Sequence, residues 1–370
     1  MRIAIEAQRI FRPNKHGMDF VALETIRILQ QTDSENEYFV FVSPDSDRCL
    51  TESDNLHIIE VSCPTYILWE QVALPRAVAK VKPDLLHCTS NTAPLFCSVP
   101  LVLTLHDIIF LEEKQGKNAS LYQTLGWYYR RWLVPAIVNR CKRIITVSHT
   151  EYDLIIKRFK SAIDKLTVIH NGYSDQYRPL ADPYAVTQKY CSDEHFLLFL
   201  GNTDPRKNTR RVLQAYDRYR NQSLRQLPLI LTGLSEQVLD AILEELQLAR
   251  LKPHIIRPGY VAGSDLPYLY NSAFAFINVS LREGFGIPVL ESMACGTPVV
   301  TSNLSSMPEV AGEGGILVDP YNPTAIADQL LLLETDPDYY AQQVAYGLER
   351  AKGFSWDKTA QAMRALYESI

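Results

Sequence analysis

Arg282-Glu-Gly-Phe-Gly-Ile-Pro-Val-Leu-Glu-Ser-Met-Ala-Cys-Gly-Thr-Pro-Val299 follows the apolar run Phe274-Ala-Phe-Ile-Asn278 and leads into Pro298-Val-Val-Thr301. The order is strand, glycine turn, helix, strand. Pro288 suits the first turn of a helix, which places the helix start near Ile287. Gly284 and Gly286 let backbone approach a ligand closely. The same rhythm extends upstream, where His195-Phe-Leu-Leu-Phe-Leu200, Leu227-Pro-Leu-Ile-Leu-Thr232 and His254-Ile-Ile-Arg257 read as strands. Nearer the start, Met1–Ala7, Tyr38–Ser43, Leu56–Val61, Asp84–Cys88, Leu101–Leu105, Arg143–Ser148 and Leu166–His170 read the same way. Helical patterns lie between them, including Trp69–Val81 and Ser120–Arg140. Continuous apolar runs alternating with helices mean parallel strands covered on both faces.

The rhythm stops at Asn171-Gly172, a turn signal. Residues 173–193 are polar, carry Pro179 and Pro183, and read as a linker. From Pro323 to Ile370 the pattern is helical. The expectation is an α/β protein of two doubly wound domains, 1–172 and 194–350, with a C-terminal helix in 351–370. In such sheets ligands sit outside the carboxyl ends of the strands. With two of them, the natural site is the cleft between the domains.

The chain has 370 residues, 46% hydrophobic and 21% charged, as an ordinary globular protein does. Its net charge is −5, which argues against a surface built to clamp nucleic acid. Seven cysteines, an odd number with no C-x-x-C pair, read as reduced thiols of a cytoplasmic protein. No two ligands have zinc spacing. The first residues lack the long apolar run of a signal peptide, and no stretch approaches the roughly 20 apolar residues that span a bilayer. Asn118-Ala-Ser120 and Asn303-Leu-Ser305 match a glycosylation sequon by chance on this reading.

Several residues carry chemistry. The helix start near Ile287 offers free N–H groups and a positive dipole end, an anion site. Glu283 sits just before it and Glu291 is read into its first turn, near the same helix end at a different depth. Carboxylates there would accept sugar hydroxyls, although a plain strand–turn–helix with a capping Glu fits the spacing equally. Arg206 and Lys207 follow the strand ending at Gly201 and open the next helix. Two adjacent cations there suit a pyrophosphate whose charge grows as it leaves, or are an ordinary solvated loop pair. His106-Asp107 follows Leu101–Leu105 and should point into the cleft. Asp45-Ser-Asp47 and Asp336-Pro-Asp338 have the spacing that binds a divalent ion, but both read as turn or helix-cap residues, so no catalytic metal is expected. Trp127-Tyr-Tyr-Arg-Arg-Trp132, continuing to Arg140-Cys-Lys-Arg143, combines aromatics with cations. This combination suits an anionic membrane surface or a half-buried helix with a charged face.

Glu283 and Glu291 with Gly-Phe-Gly between them resemble the E-x7-E motif of retaining family 4 glycosyltransferases. Ala294-Cys-Gly-Thr-Pro298, Pro308-Glu-Val310 and Gly315-Ile-Leu-Val-Asp-Pro320 continue the pattern. Gly201-Asn-Thr-Asp-Pro-Arg-Lys-Asn208 looks like the family's Arg/Lys segment, and Ile145-Thr-Val-Ser148 and Val168-Ile-His-Asn-Gly172 match the end of its N-terminal domain. The resemblance runs through essentially the whole chain. It implies the GT-B fold, an acceptor-side N-terminal domain, a C-terminal domain that holds the nucleotide-sugar donor, and a last helix that crosses back to the first domain. It assigns Arg206 and Lys207 to the donor phosphates, and makes them with Glu283 and His106 the reacting set. His106 would bond to the sugar. No carboxylate nucleophile is needed, because the departing phosphate oxygen takes the acceptor's proton. Gly17, Val261, Phe285, Gly286, Ile287, Leu290 and Glu291 would bind the donor, with Val261 near the base. The family's first turn is usually richer in glycine than Asn14-Lys-His-Gly-Met-Asp19.

The acceptor side would use His16, Trp69, Glu70 and Asn91, since Trp69-Glu-Gln71 and Asn91-Thr-Ala93 resemble residues of related mannosyltransferases. That likeness points to GDP-mannose as donor and to a saccharide or lipid-linked acceptor in polysaccharide synthesis. It also implies no cofactor beyond the nucleotide sugar, and peripheral contact with the inner face of the cytoplasmic membrane. Rival readings are a UDP-sugar-dependent transferase, an epimerase or a phosphorylase on this fold, and a non-catalytic subunit that senses a nucleotide sugar.

Overall fold

The computed structural model describes residues 1–112, 121–259 and 261–370. The chain forms two compact units, Met1–Gly172 with Ser355–Ile370, and Tyr173–Phe354. Each is built on one parallel sheet. The sequon Asn118–Ser120 and the first residue of the expected helix Ser120–Arg140 lie outside the described residues.

In the first unit the strands are β1 (Arg2–Glu6), β2 (Glu37–Val42), β3 (Leu56–Glu60), β4 (Leu85–Cys88), β5 (Leu101–Thr104), β6 (Arg143–Thr146) and β7 (Leu166–Val168), in the order β3-β2-β1-β4-β5-β6-β7. β1 lies between β2 and β4, with Ile3 opposite Tyr38 on one side and Leu85 on the other. Ile3, Ala4 and Ile5 are buried, as expected of a strand covered on both faces. The helix Gly17–Thr32 turns Val21, Ala22, Leu23, Ile26 and Leu29 onto this sheet. These positions follow the 3.6-residue period of an apolar stripe. The same core takes Ala360, Met363, Leu366 and Tyr367 from the helix Trp356–Glu368. Each fully buried Leu or Ile there contributes roughly 2 kcal/mol. The helix is seated where Gly172 meets Ser355 and Trp356. A Cβ on Gly172 would lie 2.2 Å from the Trp356 backbone nitrogen, so only glycine fits.

The second unit has β8 (Phe196–Leu200), β9 (Leu229–Thr232), β10 (Ile255–Ile256), β11 (Ala273–Asn278), β12 (Val299–Ser302) and β13 (Ile316–Val318), in the order β10-β9-β8-β11-β12-β13. The reversal of strand order between β8 and β11 is a topological switch point, where such sheets bind ligands. The segment 173–193 lies inside this unit. Leu180 N–H donates to Asn271 Oδ1 at 2.8 Å, and Asn271 Nδ2 to the Arg178 carbonyl at 2.9 Å. Thr187 and Ser272 share a buried hydroxyl contact at 3.1 Å. The backbone of this segment is therefore held by a side chain of the unit itself, and the segment is not a solvated tether.

Candidate active site

In the second unit the chain leaves β8 through Gly201 and makes a tight turn at Pro205–Lys207. Asp204 caps that turn and holds the Arg206 guanidinium, with Nε donating to both carboxylate oxygens at 3.0 Å. Burial alone would raise the Asp204 pKa, but these bonds bring it below its ordinary value. Asn208, in left-handed backbone, donates through Nδ2 to the carbonyls of Val279 at 3.0 Å and Pro320 at 2.7 Å. The turn is thus pinned to the end of β11, and Lys207 reaches across it to Glu283, Nζ to Oε1 at 2.5 Å. Cation and carboxylate are both partly exposed.

Glu283 opens the loop that enters the helix Ile287–Ala294, so the start expected near Ile287 is where the helix begins. Gly286 has φ +120°, and a Cβ on it would lie 2.5 Å from Met307 Cε. Ser305 receives the Glu283 N–H at 3.1 Å and donates to the Glu283 carbonyl at 2.7 Å. Ser306 donates to the Phe285 carbonyl at 2.6 Å. Phe285 and Leu290 are buried and pack the loop and helix inward. Glu291 is the fifth residue of the helix, so it lies in the second turn, not the first. There the Tyr270 hydroxyl donates to it at 3.1 Å and Tyr177 also bonds to it. Desolvation pushes the Glu291 pKa up to about 7, against the lowering effect of both tyrosines. Val261 is half-buried; its neighbour Tyr260 lies outside the described residues.

In the first unit, exposed His16 precedes the helix Gly17–Thr32, and its N–H donates to Asp19 Oδ2 at 2.9 Å. Gly17 faces open space. Lys15 is paired with Asp47, and Asp336 caps the helix Pro337–Ala351, so both D-x-D pairs have structural work. His106 is buried just past β5. Its Nε2 bonds to the Thr89 carbonyl at 2.8 Å, and its backbone N–H donates to Asn91 Oδ1 at 2.6 Å. A carbonyl can only accept, so Nε2 carries the proton and Nδ1 is the ring's acceptor. Desolvation lowers the His106 pKa and favours the neutral ring.

Three of the residues expected on the acceptor side are buried in the first unit. Trp69 is fully buried and its indole N–H donates to the Val61 carbonyl at 2.7 Å, so it belongs to the core. Glu70 is 1% exposed and accepts bonds from Tyr66, Thr92, Tyr129 and Gln71, which occupy its oxygens. Asn91 is buried and holds His106. An isolated sequence does not show which face of a short segment turns inward.

Residues 17–177 match the model of glycosyltransferase family 4, and residues 188–350 that of glycosyl transferases group 1. The chain joins a family 4 glycosyltransferase domain to a group 1 glycosyl transferase domain. It is 37% identical over 232 residues to O-antigen chain mannosyltransferase B of Escherichia coli, covering 62% of this chain and 61% of that one. It is 26% identical over 307 residues to the serotype-specific mannosyltransferase WbdA of Escherichia coli, covering 78% of this chain and 37% of that one. The chain therefore spans less than two thirds of either relative. The solved structure of Anabaena HepE in complex with UDP-glucose superposes with a TM-score of 0.77 over 100% of both chains at 18% identity. That likeness gives the GT-B fold. Within this glycosyltransferase pair, the residues that sequence reasoning missed are Tyr177, Tyr270, Ser305, Ser306 and Asp204. The serine pair shows as two adjacent hydroxyls just before Pro308-Glu-Val310, and Asp204 lies inside the quoted segment Gly201–Asn208.

Proposed function

We propose that the protein is a retaining glycosyltransferase that moves mannose from GDP-mannose to a saccharide or lipid-linked glycan acceptor in polysaccharide synthesis. The carrying observation is the Lys207–Glu283 contact beside the start of the helix Ile287–Ala294. A diphosphate that takes up Lys207 gains a fixed cation where its charge grows as the sugar leaves. Arg206, held by Asp204, adds a second. Glu283, released from Lys207, accepts from hydroxyls of the sugar. His106 accepts from another substrate hydroxyl through Nδ1. The departing phosphate oxygen takes the acceptor's proton, so no side chain is consumed as nucleophile. With two side-chain cations on the phosphates, transfer proceeds without a divalent ion. The mannosyltransferase names of the relatives favour GDP-mannose among donors.

Contact with an anionic membrane face belongs to the same proposal. Leu125, Tyr128 and Trp132 are exposed along one face of the helix Leu121–Arg140, with Arg131 and Arg140 nearby. No helix among the described residues is long and apolar enough to cross a membrane. The test is a donor panel of GDP-mannose, UDP-glucose, UDP-galactose and UDP-N-acetylglucosamine with EDTA present, reading melting temperature and release of the nucleoside diphosphate. GDP-mannose alone should stabilise the protein by mass action and release GDP. Stabilisation by a UDP-sugar instead would overturn the donor, and a requirement for added metal would overturn the metal-free mechanism.

A further inference from the structure

β1 ends on a buried acid. Glu6 is 3% exposed. Its Oε1 accepts the Gln8 N–H at 3.0 Å and its Oε2 the Thr89 N–H at 3.2 Å. The Thr89 hydroxyl donates to the Glu6 carbonyl at 2.8 Å. Thr89 is therefore tied to residue 6 through its backbone and its side chain, and its own carbonyl receives His106 Nε2 at 2.8 Å. Burying a carboxylate costs far more than burying an apolar side chain of the same size. Core packing does not call for an acid at this strand end. What the acid does is fix the residue that orients an imidazole.

We propose that Glu6 is a positioning residue for the transfer step: through Thr89 it fixes the ring orientation and tautomer of His106, so that Nδ1 is held ready to accept from a substrate hydroxyl. The proposal rests on the glycosyltransferase reading for what His106 meets, but not for the state of the ring. Released from Glu6, the loop after β4 turns the Thr89 carbonyl away and the ring exchanges tautomers. Burial raises the Glu6 pKa to about 7, so the tie also changes strength near neutral pH. Arg9, Tyr66, Glu70 and Cys88 face Glu6, while His87, Asp107 and Asp19 face His106.

The experiment is nitrogen NMR of the histidine-labelled full chain, alongside donor kinetics, for wild type, Glu6→Leu and Glu6→Asp. Wild-type His106 should show one tautomer, protonated at Nε2. In Glu6→Leu it should become a mixture, with kcat down about tenfold and donor KM within about twofold, as expected of a misplaced group. Glu6→Asp should restore part of both. An unchanged His106 spectrum in Glu6→Leu would overturn the proposal, even with a lower rate, since that points to general disruption. Should Glu6→Leu not fold, Glu6→Asp carries the test: its shorter arm cannot reach both N–H groups, so a minor second tautomer of His106 should appear, and a spectrum identical to wild type would overturn the proposal equally. A wild type with no turnover on any sugar nucleotide would remove the glycosyltransferase reading and leave the tautomer result standing.

Discussion

Lys207 and Glu283 hold each other at 2.5 Å, and each is positioned by backbone that other residues fix. Lys207→Ala removes the cation and leaves the turn at Pro205–Lys207 capped by Asp204. Turnover should fall at least about a hundredfold, the usual loss when one preorganised transition-state contact goes, with the melting temperature nearly unchanged. Retained turnover would remove Lys207 from the phosphate site. Glu6 gives a prediction on stability. Its pKa in the fold is about 7, against an ordinary 4.5, because burial penalises the charged form. Between those values the folded state keeps a proton that the unfolded chain has released. Stability must therefore fall as pH rises through the window, by roughly 3 kcal/mol at most. Glu291 acts with the same sign. Urea unfolding at pH 5 and pH 8 should show the wild type weaker at pH 8, and Glu6→Gln should remove part of that difference. An equal slope in the variant would mean that Glu6 does not titrate in this window.

The loop from Glu283 to Gly286 and the helix it enters behave as one element strapped by Ser305 and Ser306. The Ser306 hydroxyl is buried and bonds to the Phe285 carbonyl. Ser306→Ala removes that bond and the one to the Glu283 carbonyl, which should cost about 1 kcal/mol and weaken donor binding, measured by calorimetry. Gly286→Ala should act more strongly, since it meets Met307 and requires positive φ. Much of this element was legible beforehand: Pro288 marked the helix start, and the run Phe274–Asn278 marked its strand. The strands were legible because both faces are buried, so apolar residues are continuous rather than alternating. β13 is not among the expected strands, since Ile316-Leu-Val318 enters the sequence reading only inside the motif Gly315–Pro320. The tyrosines around Glu291 come from positions 177 and 270, and no local spacing links them to it. Glu70 is expected to be an acceptor contact only from the likeness of Trp69-Glu-Gln71 to related mannosyltransferases, and such a likeness does not show what surrounds the side chain. Its partners Thr92 and Tyr129 lie far along the chain.

At the scale of the whole molecule, chain order and unit membership part company at Phe354. The helix Trp356–Glu368 completes the core of the first unit, although all of Tyr173–Phe354 intervenes. Tyr367 is fully buried there, and its hydroxyl bonds to His87 Nδ1 at 2.6 Å. His87 has a pKa lowered to about 3 by burial, so it stays neutral and needs hydrogen bonds, not charges, as partners. Tyr367→Ala removes the ring and orphans that nitrogen, which should cost the first unit about 3–5 kcal/mol. The second unit keeps its own core from Leu197 to Leu333 and does not include this residue. A scan of the variant should therefore split into two transitions, the lower one belonging to the first unit. GDP-mannose should raise the upper transition, because the phosphate and hydroxyl contacts assigned to Lys207, Arg206 and Glu283 all lie in the second unit. A single transition lowered as a whole would mean that the two units unfold as one, and a ligand shift confined to the lower transition would move the donor site to the first unit.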